Sequence, residues 1–196
     1  ACVNGFSVRS DLGIFFIFAK LRGGEMRSII SLCSGIGGLD IAAEKHFDAE
    51  VIIHSETNPE ASAVMAHHYP QSEAIGDFRF FDPTNLEPDL IVSGFPCQPV
   101  SKANHPSKRL GTDHDQWLFP DIERFIQNMK SLPKGLVFEN VPNLRNYDNG
   151  AAFRDIIGSI TRMGYRTAWG LLKASETGAP HRRSRLFILA FLPDSD

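Results

Sequence analysis

Short aliphatic and β-branched runs alternate with segments of helical pattern from Arg27 onward. Such alternation is typical of βαβ units and predicts an α/β domain, with a mostly parallel sheet covered by helices on both faces. Strands are predicted at Ser28–Leu32, Val51–Ser55, Leu90–Ser93, Leu136–Glu139, Thr167–Leu172 and Leu186–Leu192. Helices are predicted at Leu39–His46, Pro59–His68, Pro120–Lys130 and Ala151–Met163. In such folds, ligands bind in the crevice outside the carboxyl ends of the strands.

Composition limits the classes of function. The 196 residues fit one globular domain, and a formal net charge of −3 is unlike the basic face of a self-sufficient nucleic-acid binder. The three cysteines, Cys2, Cys33 and Cys97, show no metal-ligand spacing and no disulfide framework. We therefore expect no metal site and a reducing, cytoplasmic environment.

The first 25 residues have a separate interpretation. The apolar run from Leu12 to Leu21 is too short to cross a bilayer, and no clear cleavage site follows it, so we expect no membrane association. Arg22-Gly23-Gly24-Glu25 could be encoded by a purine-rich stretch that resembles a ribosome-binding site. We expect residues 1–25 to be a non-native or upstream-translated extension and residues 26–196 to be the domain. A genuine N-terminal helix or strand is the alternative.

A lone cysteine is held in a rigid loop after one predicted strand. The chain reads Gly-Phe-Pro-Cys-Gln-Pro from Gly94 to Pro99, and the two prolines restrict the backbone around Cys97. A thiol held in one presentation suggests a nucleophile, although a buried structural cysteine is the alternative. Glu139 ends another predicted strand, so both side chains are expected at one edge of the sheet.

A glycine-rich loop follows the first predicted strand. Ser34-Gly35-Ile36-Gly37-Gly38 lets the backbone turn tightly and approach a ligand at a helix N-terminus. A dinucleotide fingerprint would place a third glycine where this chain has Asp40, so the loop fits a ligand without phosphate better. Glu56 ends the second predicted strand and could accept hydrogen bonds from ribose hydroxyls.

Four segments together resemble signature motifs of the cytosine-C5 DNA methyltransferases, in that family's order. They are Ser31–Leu39, Pro96-Cys97-Gln98, Glu139-Asn140-Val141 and Pro180–Arg185, and the resemblance extends from Met26 to about Leu192. It implies a Rossmann-like S-adenosylmethionine-dependent methyltransferase fold. It also implies methyl transfer to C5 of a cytosine flipped out of DNA. Methylation of cytosine in transfer RNA, and an inactive S-adenosylmethionine-binding fragment, are the alternatives.

The resemblance assigns roles to individual residues. Cys97 would add to cytosine C6, Glu139 would contact N3 and the exocyclic amine, and Arg183 and Arg185 would brace the catalytic loop and contact O2. Asp77 would accept from the adenine amino group and Phe78 would pack on the ring. The full set of expected cofactor contacts is Leu32, Cys33, Gly35, Gly37, Gly38, Glu56, Thr57, Asp77, Phe78 and Pro96.

The chain departs from the family pattern at three positions. Ser31 stands where the family usually has Asp, Cys33 where it has Phe, and His181 where it has Gln. The family also continues into a target-recognition region and a final helix that returns to the cofactor site. We therefore expect this chain to be the N-terminal catalytic part of a bacterial or phage-encoded restriction–modification enzyme, with its recognition half missing or separate.

Overall fold

The computed structural model describes residues 26–96 and 117–193, and within them seven strands form one sheet. The strands are β1 (Ser28–Leu32), β2 (Glu50–Ser55), β3 (Glu73–Ala74), β4 (Leu90–Ser93), β5 (Gly135–Asn140), β6 (Arg166–Lys173) and β7 (Ser184–Phe191). The α-helices are α1 (Gly38–Phe47), α2 (Pro59–His68), α3 (Phe119–Gln127) and α4 (Ala151–Arg162). Residues 1–25 and the segment that contains Cys97 lie outside the described residues.

The strand order is β3-β2-β1-β4-β5-β7-β6. β7 pairs antiparallel with both β5 and β6, whereas the pairings among β1 to β5 are parallel. The prediction of a mostly parallel α/β sheet is confirmed. Because the chain leaves β1 toward β2 and later returns to β4 on the other side, the β1–β4 boundary is the topological switch point, where a ligand crevice is expected.

Helices cover both faces of the sheet, as predicted. Ile30 and Leu32 of β1 face a cluster that includes Ile122 of α3 and Ile156 of α4. Alternate residues face the other way, since Ile29 belongs to a second cluster with residues of α1 and α2. The two-residue period of a strand explains why β1, β4 and β5, which are buried on both faces, appear in the sequence as continuous apolar runs.

The helix and strand boundaries differ from the predicted ones by a few residues. Strand β3 was not predicted, because two residues are too few to show a pattern. Helix α3 ends at Gln127 and not at Lys130, since the Lys130 backbone N–H donates instead to the Leu86 carbonyl oxygen at 3.1 Å. That hydrogen bond takes the chain out of the helical path.

The parallel register aligns the ends of the three central strands. Leu32 at the end of β1 pairs with Ser93 at the end of β4, and Ser93 pairs in turn with Phe138 of β5. The next residues along the chain, Cys33, Gly94 and Glu139, therefore lie at one edge of the sheet.

Among the residues that the structure describes, no helix has both the length and the apolar character that a membrane crossing needs.

We predict that Ile156→Ala destabilises the fold. The side chain is fully buried in the α4 face of the core, and such truncations cost about 2–5 kcal/mol in the free energy of unfolding. The melting temperature should fall by roughly 4–20 °C. Thermal unfolding followed by circular dichroism measures it, with Asp155→Ala on the exposed face of the same helix as the control. Equal melting temperatures for the two variants would contradict this packing.

Candidate active site

The glycine loop between β1 and α1 has a backbone that favours glycine. Gly37 has a φ of 83°, and a Cβ there would lie 3.0 Å from Met65 Sδ and 3.1 Å from Tyr69 Cε2. Gly35 also has a positive φ, but no atom lies within 4 Å of the position of a Cβ there. The position of a Cβ at Gly38 is likewise free of atoms within 4 Å. The loop is thus packed against α2 at Gly37 and open to a ligand at Gly35 and Gly38.

Glu56 ties this loop to the start of α2. Its Oε2 accepts a hydrogen bond from the Gly35 N–H at 2.7 Å, and its Oε1 accepts from the Thr57 and Asn58 N–H groups at 2.8 Å each. The sequence suggested Glu56 as a ribose acceptor but gave no sign of this second role. Glu56 therefore fixes the loop before any ligand arrives.

Asp77 is paired with a neighbouring cation. Arg79 Nη2 donates to Asp77 Oδ2 at 2.6 Å, and this hydrogen bond lowers the pKa of Asp77. An adenine amino group at Asp77 would have to share the carboxylate with Arg79. Phe78 is 3% exposed and packs edge-on against Phe125 at 5.7 Å, so little of its ring is accessible to a ligand.

Of the remaining expected cofactor contacts, Leu32 is fully buried, Thr57 is exposed and Pro96 is partly buried. Cys33 has a left-handed backbone, with a φ of 54°. Burial, and to a lesser degree the charge of Glu56, raises the pKa of its thiol to about 12. Cys33 is therefore an un-ionised thiol at neutral pH and a poor nucleophile.

Glu139 and Arg185 form an ion pair at the same edge of the sheet. Arg185 Nε lies 2.6 Å from Glu139 Oε1, and both side chains are about one quarter exposed, at 27% and 24%. The register of β7 against β5 places them together, since Asn140 pairs with Leu186. Glu139 Oε2 faces Gly94, at 3.7 Å from where a Cβ would lie.

The segment that leads to Cys97 is anchored at its base. The Phe95 ring is 2% exposed and lies within 5.9–6.3 Å of the rings of Trp117, Phe119 and Phe138. Asn140 Nδ2 donates to the Phe95 carbonyl oxygen at 3.2 Å. The chain thus enters the Cys97 segment and returns from it, at Trp117, against one aromatic cluster.

A cavity of about 490 Å³ joins these parts. Its lining includes Cys33 and Gly35 from the glycine loop, together with Gly94, Glu139, Arg183 and Arg185. Glu56 and Asp77 lie toward β2 and β3, to one side of this cavity. The structure therefore brings the glycine loop together with Glu139 and both arginines.

Asp40 lines the same cavity and was not predicted as a site residue. It is 1% exposed, and neither carboxylate oxygen completes a hydrogen bond with any residue in 26–96 or 117–193. Burial raises the pKa of Asp40 to about 6, and the nearby Ser31 hydroxyl offsets only part of that effect. The sequence showed Asp40 only as a break in a glycine pattern.

The sheet order, the inserted antiparallel strand and the glycine loop after β1 define a Rossmann-like methyltransferase fold. The same fold occurs in the Entamoeba histolytica methyltransferase EhMeth, with a TM-score of 0.70 at 18% identity over 88% of this chain and 56% of that one. The S. pombe Dnmt2 methyltransferase also has this fold, with a TM-score of 0.65 at 21% identity over 87% of this chain and 51% of the Dnmt2 chain.

The chain belongs to the C-5 cytosine-specific DNA methylase family, whose family model matches residues 27–196. Among its relatives, type II methyltransferase M.NlaX of Neisseria lactamica is 32% identical over 85% of this chain and 53% of its own length. Type II methyltransferase M.MspI of Moraxella sp is 34% identical over 83% of this chain and 38% of its own length. The chain spans about half the length, or less, of the curated relatives it matches.

We predict that Glu56→Ala destabilises the protein even without a ligand. The substitution leaves three backbone N–H groups without their acceptor, which should cost about 1–3 kcal/mol in the free energy of unfolding. Urea unfolding of the ligand-free protein measures this cost. Glu50→Ala removes an exposed carboxylate at the start of β2 and should change stability by less than about 0.5 kcal/mol. If both variants are equally stable, Glu56 does not brace the loop.

Proposed function

We propose that this chain is the catalytic part of an enzyme that transfers a methyl group from S-adenosylmethionine to C5 of cytosine in DNA. One observation carries the proposal: the glycine loop, Glu139, Arg183 and Arg185 open onto one cavity at the switch point of the sheet. Membership of the DNA methylase family and the type II methyltransferase relatives support it. We also propose a cytoplasmic location in a bacterium, which those bacterial relatives support, and keep expression from a phage as part of the proposal.

The residues of the glycine loop fit S-adenosylmethionine. The space beside Gly35 and Gly38 is open, and the ribose and adenine would meet Glu56 and Asp77. We further propose that Leu32, Cys33, Thr57, Phe78 and Pro96 border the bound cofactor, with Leu32 and Phe78 acting mainly through their backbones because they are buried. When bound, the cofactor would supply an electrophilic methyl group on a sulfonium.

Cys97 is the proposed nucleophile. Its thiolate would form a carbon–sulfur bond at cytosine C6, and the electron pair of the C5–C6 double bond would then make C5 nucleophilic. After the methyl group joins C5, transfer of the C5 proton to water or another base would restore the double bond and expel the thiolate. Cys33 does not compete for this role, because burial holds its pKa at about 12.

Glu139 is proposed to hold the cytosine ring. Arg185 occupies Oε1, and Oε2 points toward Gly94, from which the chain runs on to Cys97. Oε2 is therefore the oxygen that we assign to the exocyclic amine, which would donate to it, and to N3, to which it would give a proton as charge develops. Arg183 and Arg185 flank that position, which supports a contact with cytosine O2.

The substrate is proposed to be a cytosine flipped out of the duplex, since C6 is not accessible to a thiol within stacked bases. The chain has a net charge of −3 and spans only part of the length of its relatives. Both facts support the proposal that most DNA-binding contacts come from a separate or additional recognition half. We retain residues 26–196 as the proposed partial catalytic domain and 1–25 as an extension. Transfer RNA is not favoured as the substrate, because the family is one of DNA methylases.

A 5-fluorocytosine oligonucleotide tests the nucleophile. Fluorine at C5 blocks the final elimination, so the protein with S-adenosylmethionine and a recognition half from a type II relative should form a covalent adduct. We expect the adduct with the wild type and with Cys33→Ser, and none with Cys97→Ser, on denaturing gels and by mass spectrometry. An adduct that persists in Cys97→Ser would overturn the assignment.

A further inference from the structure

Asp40 lines the cavity, and no cation among the residues described pairs with its buried carboxylate. Its side chain is 1% exposed, and both oxygens lack a hydrogen-bond partner among the residues described. Among the described residues, no other acidic side chain is buried with both carboxylate oxygens lacking a hydrogen-bond partner. Burying a carboxylate is costly unless a cation or several donors face it. The N-terminus of α1, in whose first turn Asp40 lies, offsets only part of that cost, so the position favours a cationic ligand group.

None of the described groups around Asp40 forms a hydrogen bond with its carboxylate, and the nearby Tyr69 hydroxyl is itself buried without a partner. The Ser31 hydroxyl, which lies beneath it on β1, donates to Ser34 Oγ at 2.8 Å. Glu44, one turn further along α1, is itself acidic and accepts from the Val51 N–H at 2.9 Å. Arg185 of the same cavity is paired with Glu139, and no ion pair joins Arg183 to Asp40 within the described ranges.

The sheet order indicates which part of the cofactor would reach Asp40. Glu56 follows β2 and Asp77 follows β3, so a ribose and an adenine held there occupy the β2 and β3 side of β1. The rest of S-adenosylmethionine must then extend over the glycine loop toward β1 and β4. That part is the amino-acid end, and its ammonium is a hydrogen-bonding cation.

We propose that Asp40 binds the ammonium group of the amino-acid end of S-adenosylmethionine. The inference rests on the proposed function and deepens it. Asp40 lies close to the Ser31 hydroxyl, and both residues line the same cavity as the glycine loop. The pKa of about 6 leaves Asp40 ionised at neutral pH, and an ammonium would relieve the cost of burying that charge.

Calorimetric titration with three adenosine ligands tests the proposal on the intact chain. S-adenosylhomocysteine carries both the ammonium and the carboxylate, its decarboxylated analogue keeps only the amine, and 5′-methylthioadenosine carries neither. Asp40→Asn should weaken the first two ligands by about 10- to 100-fold, as expected for one charge-assisted hydrogen bond. It should leave the affinity for 5′-methylthioadenosine within about twofold.

Asp48→Asn is the matched control. It makes the same chemical change at the exposed C-terminal cap of α1 and should alter none of the three affinities. Without ligand, Asp40→Asn should melt at or above the wild-type temperature, because it removes an unpaired buried charge. Asp40→Ser, which is smaller, serves as the second variant.

The outcomes separate this inference from the proposed function. If the folded wild type binds none of the three ligands, both are wrong. If the wild type binds all three ligands and Asp40→Asn weakens the binding of none, only the role of Asp40 is wrong, and its carboxylate is then assigned to a donor on the recognition half. If Asp40→Asn weakens the binding of all three equally, the role of Asp40 is likewise wrong and the proposed function stands. Loss of folding in both Asp40 variants would also overturn the proposal, because it would show a structural partner.

Discussion

The parallel register of β1, β4 and β5 is the constraint on which the rest of the site depends. Leu32, Ser93 and Phe138 stand side by side, so three chain segments leave the sheet at the same edge. The glycine loop, the segment toward Cys97 and Glu139 follow from those three ends. A shift of one residue in any of these strands would move each of its side chains to the opposite face of the sheet and separate the groups. The apolar side chains that fix the register thus also fix the chemistry.

The antiparallel strand β7 completes this edge from the other side. It returns the chain beside β5 and brings Arg183 and Arg185 to Glu139, which lies more than forty residues earlier in the sequence. The ion pair at 2.6 Å holds one carboxylate oxygen and leaves the other directed at Gly94. Burial keeps Cys33 un-ionised, whereas the chemistry proposed for Cys97 needs a thiolate.

Hydrophobic pattern and turn residues were enough to predict the fold class, because β1, β2, β4 and β5 are continuous apolar runs and Asn58 with Pro59 marks the start of α2. They did not reveal β3, whose two residues pair only through tertiary context. The motifs led to Glu139, Arg183 and Arg185. They could not show that Glu56 braces the glycine loop, that Arg79 pairs with Asp77, or that Asp40 is buried without a partner, since these depend on side-chain geometry between distant segments.

The central claim is that one edge of the sheet binds the cofactor, and amide NMR of the labelled chain titrated with S-adenosylhomocysteine tests it most directly. The account predicts shifts at the amides of Gly35, Gly38, Thr57 and Gly94, which follow the carboxyl ends of β1, β2 and β4. Amides at the opposite edge, such as Asp48, Lys134 and Gly164, should stay in place. Shifts confined to the opposite edge, or none at saturating ligand, would contradict the account.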